Sequence, residues 1–215
     1  MNVLAKLASR GYVVAGITYR LSDEAQFPAA LLDVMDAIRF MRRHAKLYGI
    51  DENRIILWGL SAGAYLASMA GTACHVDAFN HSSDDQTIST CVQGVVDWFG
   101  PADFNLEGAG SSSNIAKFLG CASAGYTPKE LEAASPAQYF DPETPPPFLI
   151  MQGAEDRLVL PGQSQRLHNL LRSNKVDAQI IIYPGLGHGS QGASSAQLRE
   201  KLTTTFAFMD RISKR

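Results

Sequence analysis

The chain has 215 residues, 46% of them hydrophobic and 19% charged, which is enough apolar material for one buried core without a metal or disulfide staple. Lys and Arg number 19 against 21 Asp and Glu, so the formal net charge is −2. That composition excludes a disordered chain, and the near-neutral balance excludes a global pull on nucleic acid or anionic membranes.

No apolar run approaches the roughly 18 residues of a membrane span. Residues 1–10 carry no long apolar stretch and no cleavage pattern, which makes the chain cytoplasmic as written. A natural start further upstream would make it secreted instead. Residues 11–18 read as a buried strand. Pro28 then opens a helix with Leu31, Val34, Met35, Ile38 and Met41 on one face, and Gly49 stops it. Residues 54–58 form a second apolar strand. It runs into Gly59-Leu60-Ser61-Ala62-Gly63 and a helix through Met69. A polar loop joins Cys74 to Cys91. Residues 92–99 are a third strand, stopped by Gly100 and Pro101. Residues 105–135 read as an excursion with one or two short helices. A fourth strand covers 148–152, a helix 162–171, and a fifth strand 178–183. The last helix spans 196–212, with Leu198, Leu202, Phe206 and Met209 on one side.

Strands that are apolar on both faces and separated by helices predict an α/β fold, with about five parallel strands covered by helices on both faces. Residues 1–215 read as a single catalytic domain, with no internal linker or repeat. Three cysteines do not make a disulfide framework. Cys74 and Cys91 read as reduced packing cysteines, with a disulfide between them as the lesser alternative. No CxxC or His/Cys cluster predicts a metal, and no cofactor motif follows a strand.

The chemistry concentrates at Gly59-Leu60-Ser61-Ala62-Gly63, a G-x-S-x-G pattern placed between a strand and a helix. Two glycines leave room for a tight turn that exposes the Ser61 hydroxyl in a strained conformation. A nucleophilic serine needs a base, and the base needs an orienting acid. The fourth strand ends at Glu155 and Asp156, and the fifth at Gly187-His188-Gly189. Open parallel sheets build their sites at these ends. Asp156 is the candidate acid, with Glu155 as runner-up, and His188 is the candidate base. Asp103 reads as a capping residue. His44, His75, His81 and His168 read as solvated or capping. Trp98 and Leu158 are candidate substrate contacts, with core packing as the competing reading for Trp98 and Phe99.

The same stretches resemble the α/β-hydrolase superfamily, and within it the bifunctional feruloyl and acetylxylan esterases. The likeness runs through residues 16–22, Phe27-Pro28 with Asp33, residues 48–55, the Ser61 elbow and residues 95–103. It continues through Leu119-Gly120, Ser135-Pro136, residues 146–149, Gln163-Ser164 and Gly187-His188. It implies Ser61 as nucleophile, Asp156 as acid and His188 as base. It also implies hydrolysis of a small-molecule ester, short-chain and carboxylic, without metal or cofactor. The family's His-Gly-Gly loop and first strands have no counterpart here, so the expected fold is N-terminally shortened. Three readings of this stand open: a compact sheet with the gap closed, a homo-oligomer covering the exposed strand edge, or a longer natural protein. Ala62 supplies one oxyanion-hole N–H. A second donor would come from the Met1 region, Tyr19 or Arg20. The alternatives are a catalytically weak remnant acting as a binding protein, or a thioesterase or peptidase on the same fold.

Overall fold

The structure is a computed structural model that describes residues 3–80, 87–121, 125–140 and 145–214. Four strands, β1 (Ile56–Leu60), β2 (Gly94–Trp98), β3 (Phe148–Gly153) and β4 (Ala178–Tyr183), lie side by side in chain order. Every pairing is parallel, with Trp58 opposite Val96 and Val96 opposite Leu149. A helix follows each strand or lies within the connection after it, because parallel neighbours need a crossover. These are α4 (Ala62–Ala73) after β1, α5 (Ser112–Leu119) and α6 (Pro128–Ala133) after β2, α7 (Pro161–Ser173) after β3 and α8 (Ser195–Ser213) after β4. Ahead of the sheet stand α1 (Val3–Ala8), α2 (Ala29–Arg43) and α3 (Ala45–Tyr48).

Alternation along the strands sorts the core into two layers. Val95, Phe148 and Ile150 pack with Leu31 and Val34 of α2, Met69 of α4 and Leu167 of α7. Val96, Leu149 and Met151 pack on the opposite face with Leu7 of α1 and with Phe206 and Met209 of α8. Both faces are therefore covered, and all six residues of β3 are buried. Residues of the excursion close a small core of their own, Ala109, Ile115 and Leu131. Among the described residues no helix is long and apolar enough to cross a membrane.

Three expectations need correction. Among the described residues the sheet has four strands, not about five: residues 12–20 carry no regular secondary structure. An apolar cleft of about 540 Å³ lies between residues 12–17 and β1. Without a neighbour in reach, an apolar segment has no ladder to join. Val13 and Ile17 stay 52% and 41% exposed. The buried face of α8 is also rotated from the apolar stripe. Leu198 is exposed, while Lys201 and Thr205 are fully buried. Finally, Cys74 and Cys91 form a disulfide, with Cα atoms 5.0 Å apart. Cys74 ends α4 and Cys91 lies three residues before β2, two chain points that the sheet brings together. Cysteine counting has no access to that proximity.

Candidate active site

Ser61 sits between β1 and α4 at φ 54° and ψ −119°, a strained conformation for a residue with a Cβ. Its amide donates to the Trp98 carbonyl at 2.8 Å, which ties the turn to the end of β2. Gly59 is required at the base of this turn. A Cβ there would lie 2.1 Å from the Gly63 carbonyl carbon.

The second element comes from the end of β3. Gly153 lets that end pass under the next loop, since a Cβ would lie 2.2 Å from the Leu186 carbonyl oxygen. The chain then turns, and Asp156 is buried with both carboxylate oxygens engaged. Oδ1 accepts the Leu158 and Val159 amides at 2.9 and 3.0 Å. Oδ2 accepts Gln152 Nε2 at 3.1 Å and faces His188 Nδ1 at 2.7 Å. The third element follows β4. The Gly187 amide donates to the Gln191 carbonyl at 2.8 Å and closes a small loop around His188. His188 Nε2 reaches Ser61 Oγ at 2.8 Å. One imidazole thus bridges a buried carboxylate and an elbow hydroxyl, as general-base activation of a nucleophile requires.

The expected residues fall out as follows. Ser61, Asp156 and His188 are brought together. Glu155 is not, and its amide donates to the Leu186 carbonyl instead. Ala62 opens α4, where the first amides of a helix lack intrahelical acceptors and carry the positive end of its dipole. Leu158 lines a cleft of about 270 Å³ that opens at Ser61, together with Tyr65, Phe104, Ile115 and Phe118. Tyr19 and Arg20 line it too. Arg20 is committed elsewhere, however: its amide and its guanidinium both donate to Asp33. Trp98 does not line this cleft. It shares the α8-side core of Val96, meets Trp58 edge-on with ring centroids 4.9 Å apart, and borders the cleft beside β1. Phe99 is fully buried with its ring 5.8 Å from that of His188.

Asp103 accepts the Asn105 amide at 3.0 Å, a local cap, and also pairs with Arg166. His44 Nδ1 bonds the Phe40 carbonyl at 2.8 Å. His168 is half-buried, and its Nδ1 is buried without a hydrogen-bond partner, so that nitrogen caps nothing. His75 is exposed, and His81 lies outside the described residues. On the far side of His188 a shallow groove is lined by Glu155, Arg157, Gly185 and Gln191.

Sequence reasoning missed three polar residues that brace the site. Gln152 is fully buried and also donates to the Val159 carbonyl at 2.6 Å. Asp97 is buried, which pushes its carboxyl above the usual range. It accepts Ser68 Oγ at 2.6 Å and the Gly100 amide at 2.8 Å, fixing the turn that carries Phe99. The third is Lys201. A signal existed for the first two. Each is polar within a strand otherwise apolar on both faces, and a buried polar group needs a partner.

A strand–serine–helix elbow, with an acid and a histidine at the ends of later parallel strands, defines an α/β-hydrolase fold. The chain belongs to the BD-FAE family, whose sequence profile matches residues 1–171. Esterase LipC of Mycobacterium tuberculosis is 29% identical over 192 residues, covering 87% of this chain and 47% of that protein. The chain thus spans about half the length of the curated relatives it matches. A solved truncated carbohydrate esterase from gut microbiota superposes with a TM-score of 0.81 at 28% identity, covering 93% of this chain and 74% of that one. An acetyl ester-xyloside bifunctional hydrolase from Caldicellulosiruptor lactoaceticus gives 0.77 at 26% identity, covering 91% of this chain and 70% of that one.

Proposed function

We propose that the chain is a serine esterase that hydrolyses small carboxylic esters through an acyl-enzyme, with residues 1–215 acting as one catalytic domain. One observation carries this reading: the Ser61 Oγ–His188 Nε2 approach of 2.8 Å, backed by Asp156 at 2.7 Å from the other ring nitrogen. The esterase names among the relatives point the same way.

In this mechanism Ser61 Oγ attacks the ester carbonyl while His188 Nε2 takes its proton. Asp156 holds His188 in the tautomer with Nδ1 protonated and stabilises the imidazolium. The Ala62 amide stabilises the oxyanion. His188 then protonates the departing alcohol. Water attacks the acyl-enzyme with His188 again as base, and Ser61 is restored. The acyl group occupies the apolar cleft at Ser61. Its volume of about 270 Å³ suits a short chain. The alcohol lies toward the open groove beside His188.

The direct test is labelling with a fluorophosphonate ester. The expected result is one adduct per chain, on the peptide containing Ser61 and abolished by Ser61→Ala. An adduct elsewhere, or none on folded protein, contradicts the assignment.

A further inference from the structure

Lys201 is a cation in the wrong kind of place. It lies on the inner face of α8 with no exposed surface. Among the described residues no carboxylate pairs with it. Its ammonium instead sits 4.0 Å from the centroid of the Trp98 ring and 4.3 Å from that of Phe99, and it donates to Ser190 Oγ. Burying an unpaired charge is costly, and two ring faces plus one hydroxyl offset the loss of water only in part.

All three partners belong to the site. Ser190 is in the loop closed around His188, two residues further on. Phe99 stacks its edge against the His188 ring at 5.8 Å. Trp98 supplies the carbonyl that accepts the Ser61 amide. Among the described residues, four non-glycine residues have positive φ: Ser61 at 54°, Phe99 at 62°, Ser190 at 75° and Lys175 at 63°. The first is in the triad and the next two lie beside it, and Lys201 touches those two. Strained backbone persists only where its surroundings over-determine it. The Lys201 side chain contacts both the Phe99 turn and the Ser190 turn.

We propose that Lys201 is a positioning residue for the base: its ammonium pins the Ser190 hydroxyl and the Trp98–Phe99 turn together, and so sets the height and tilt of the His188 ring between Asp156 and Ser61. The inference rests on His188 being the base. Lys201 does not line the cleft at Ser61, so its effect falls on turnover rather than on substrate capture.

The test is Lys201→Met, which keeps an unbranched stem one heavy atom shorter and removes the charged group. Replacing an unpaired buried cation by an apolar side chain is expected to leave Tm equal or higher. Turnover nevertheless falls, with kcat about 10- to 100-fold lower at unchanged KM. In proton NMR of the free protein, the His188 Nδ1 proton signal moves or broadens relative to wild type. Ser190→Ala, which removes only the acceptor, shifts kcat and that signal in the same direction and serves if Lys201→Met does not fold. A stable Lys201→Met variant with wild-type kcat and an unmoved His188 signal overturns the proposal. If instead His188→Ala is as active as wild type, the base assignment fails, and the NMR comparison still decides whether Lys201 sets the ring.

Discussion

His188 Nε2 lies 2.8 Å from Ser61 Oγ across 127 residues of chain. Two strand ends of one parallel sheet make that approach. Ser61 leaves β1, and His188 leaves β4, three strands away in the order β1-β2-β3-β4. The Asp156 loop, from β3, fills the space between.

The Asp156 carboxylate has four hydrogen-bond partners, so loss of the group and loss of one partner have different effects. Asp156→Asn cannot hold the same His188 tautomer and is expected to lower kcat by about 10⁴. Gln152→Leu removes one donor and leaves the Leu158 and Val159 amides in place. It also loses the bond to the Val159 carbonyl, and its cost is about tenfold or somewhat more, mainly from the hydrogen bond to the charged group. Steady-state kinetics on the two variants check the ranking. Equal losses would show that Gln152, not the carboxylate, sets the geometry.

The two glycines of the elbow are not equivalent. An alanine at Gly59 meets Gly63 backbone at 2.1 Å, whereas an alanine at Gly63 has nothing within 4 Å. Gly59→Ala is expected to destabilise by about 1–3 kcal/mol or more through overpacking. Gly63, inside α4, gains up to about 1 kcal/mol on replacement by Ala, the ordinary helix preference. Urea melts of both variants check the opposite signs.

Protein made under oxidising conditions is expected to show one titratable thiol after denaturation without reductant, Cys121, rather than three. Replacing Cys74 and Cys91 by Ser frees a loop with a sequence separation of 17 residues. The chain-entropy cost is about 3 kcal/mol. Three reactive thiols would restore the reading of these residues as reduced packing cysteines.

Burial lowers Lys201 from 10.5 to about 8. Near pH 8 the folded chain gives up this proton, while the unfolded chain holds it to about 10.5. The unfolded state therefore binds more protons across that window, and the Lys201 contribution to stability rises with pH. The Tm of wild type relative to Lys201→Met is expected to climb between pH 8 and 10. A flat difference would mean that the two ring faces hold the charge at its ordinary value.

The elbow and the two loop histidine and carboxylate positions are legible in the sequence because their signals are local. Gly59 and Ser61 mark a strand-to-helix turn, and Gly187 and Gly189 mark an exposed loop. What escapes is whatever depends on a neighbour. Residues 12–17 have strand composition but no ladder partner in reach, and composition does not report partners. Trp98 has the bulk of a pocket residue, yet the pleat of β2 turns it to the face of Val96. Leu198 continues the apolar stripe of α8 by spacing, but the helix buries Lys201 and Thr205 in its stead. Periodicity treats a lysine as a polar mark and has no means to see two aromatic faces waiting for it.

The most direct test of the account is hydrolysis of p-nitrophenyl acetate by the 215-residue chain beside folded Ser61→Ala. Steady turnover by the wild type and only background release by the variant are expected. A folded wild type no faster than Ser61→Ala would contradict the account.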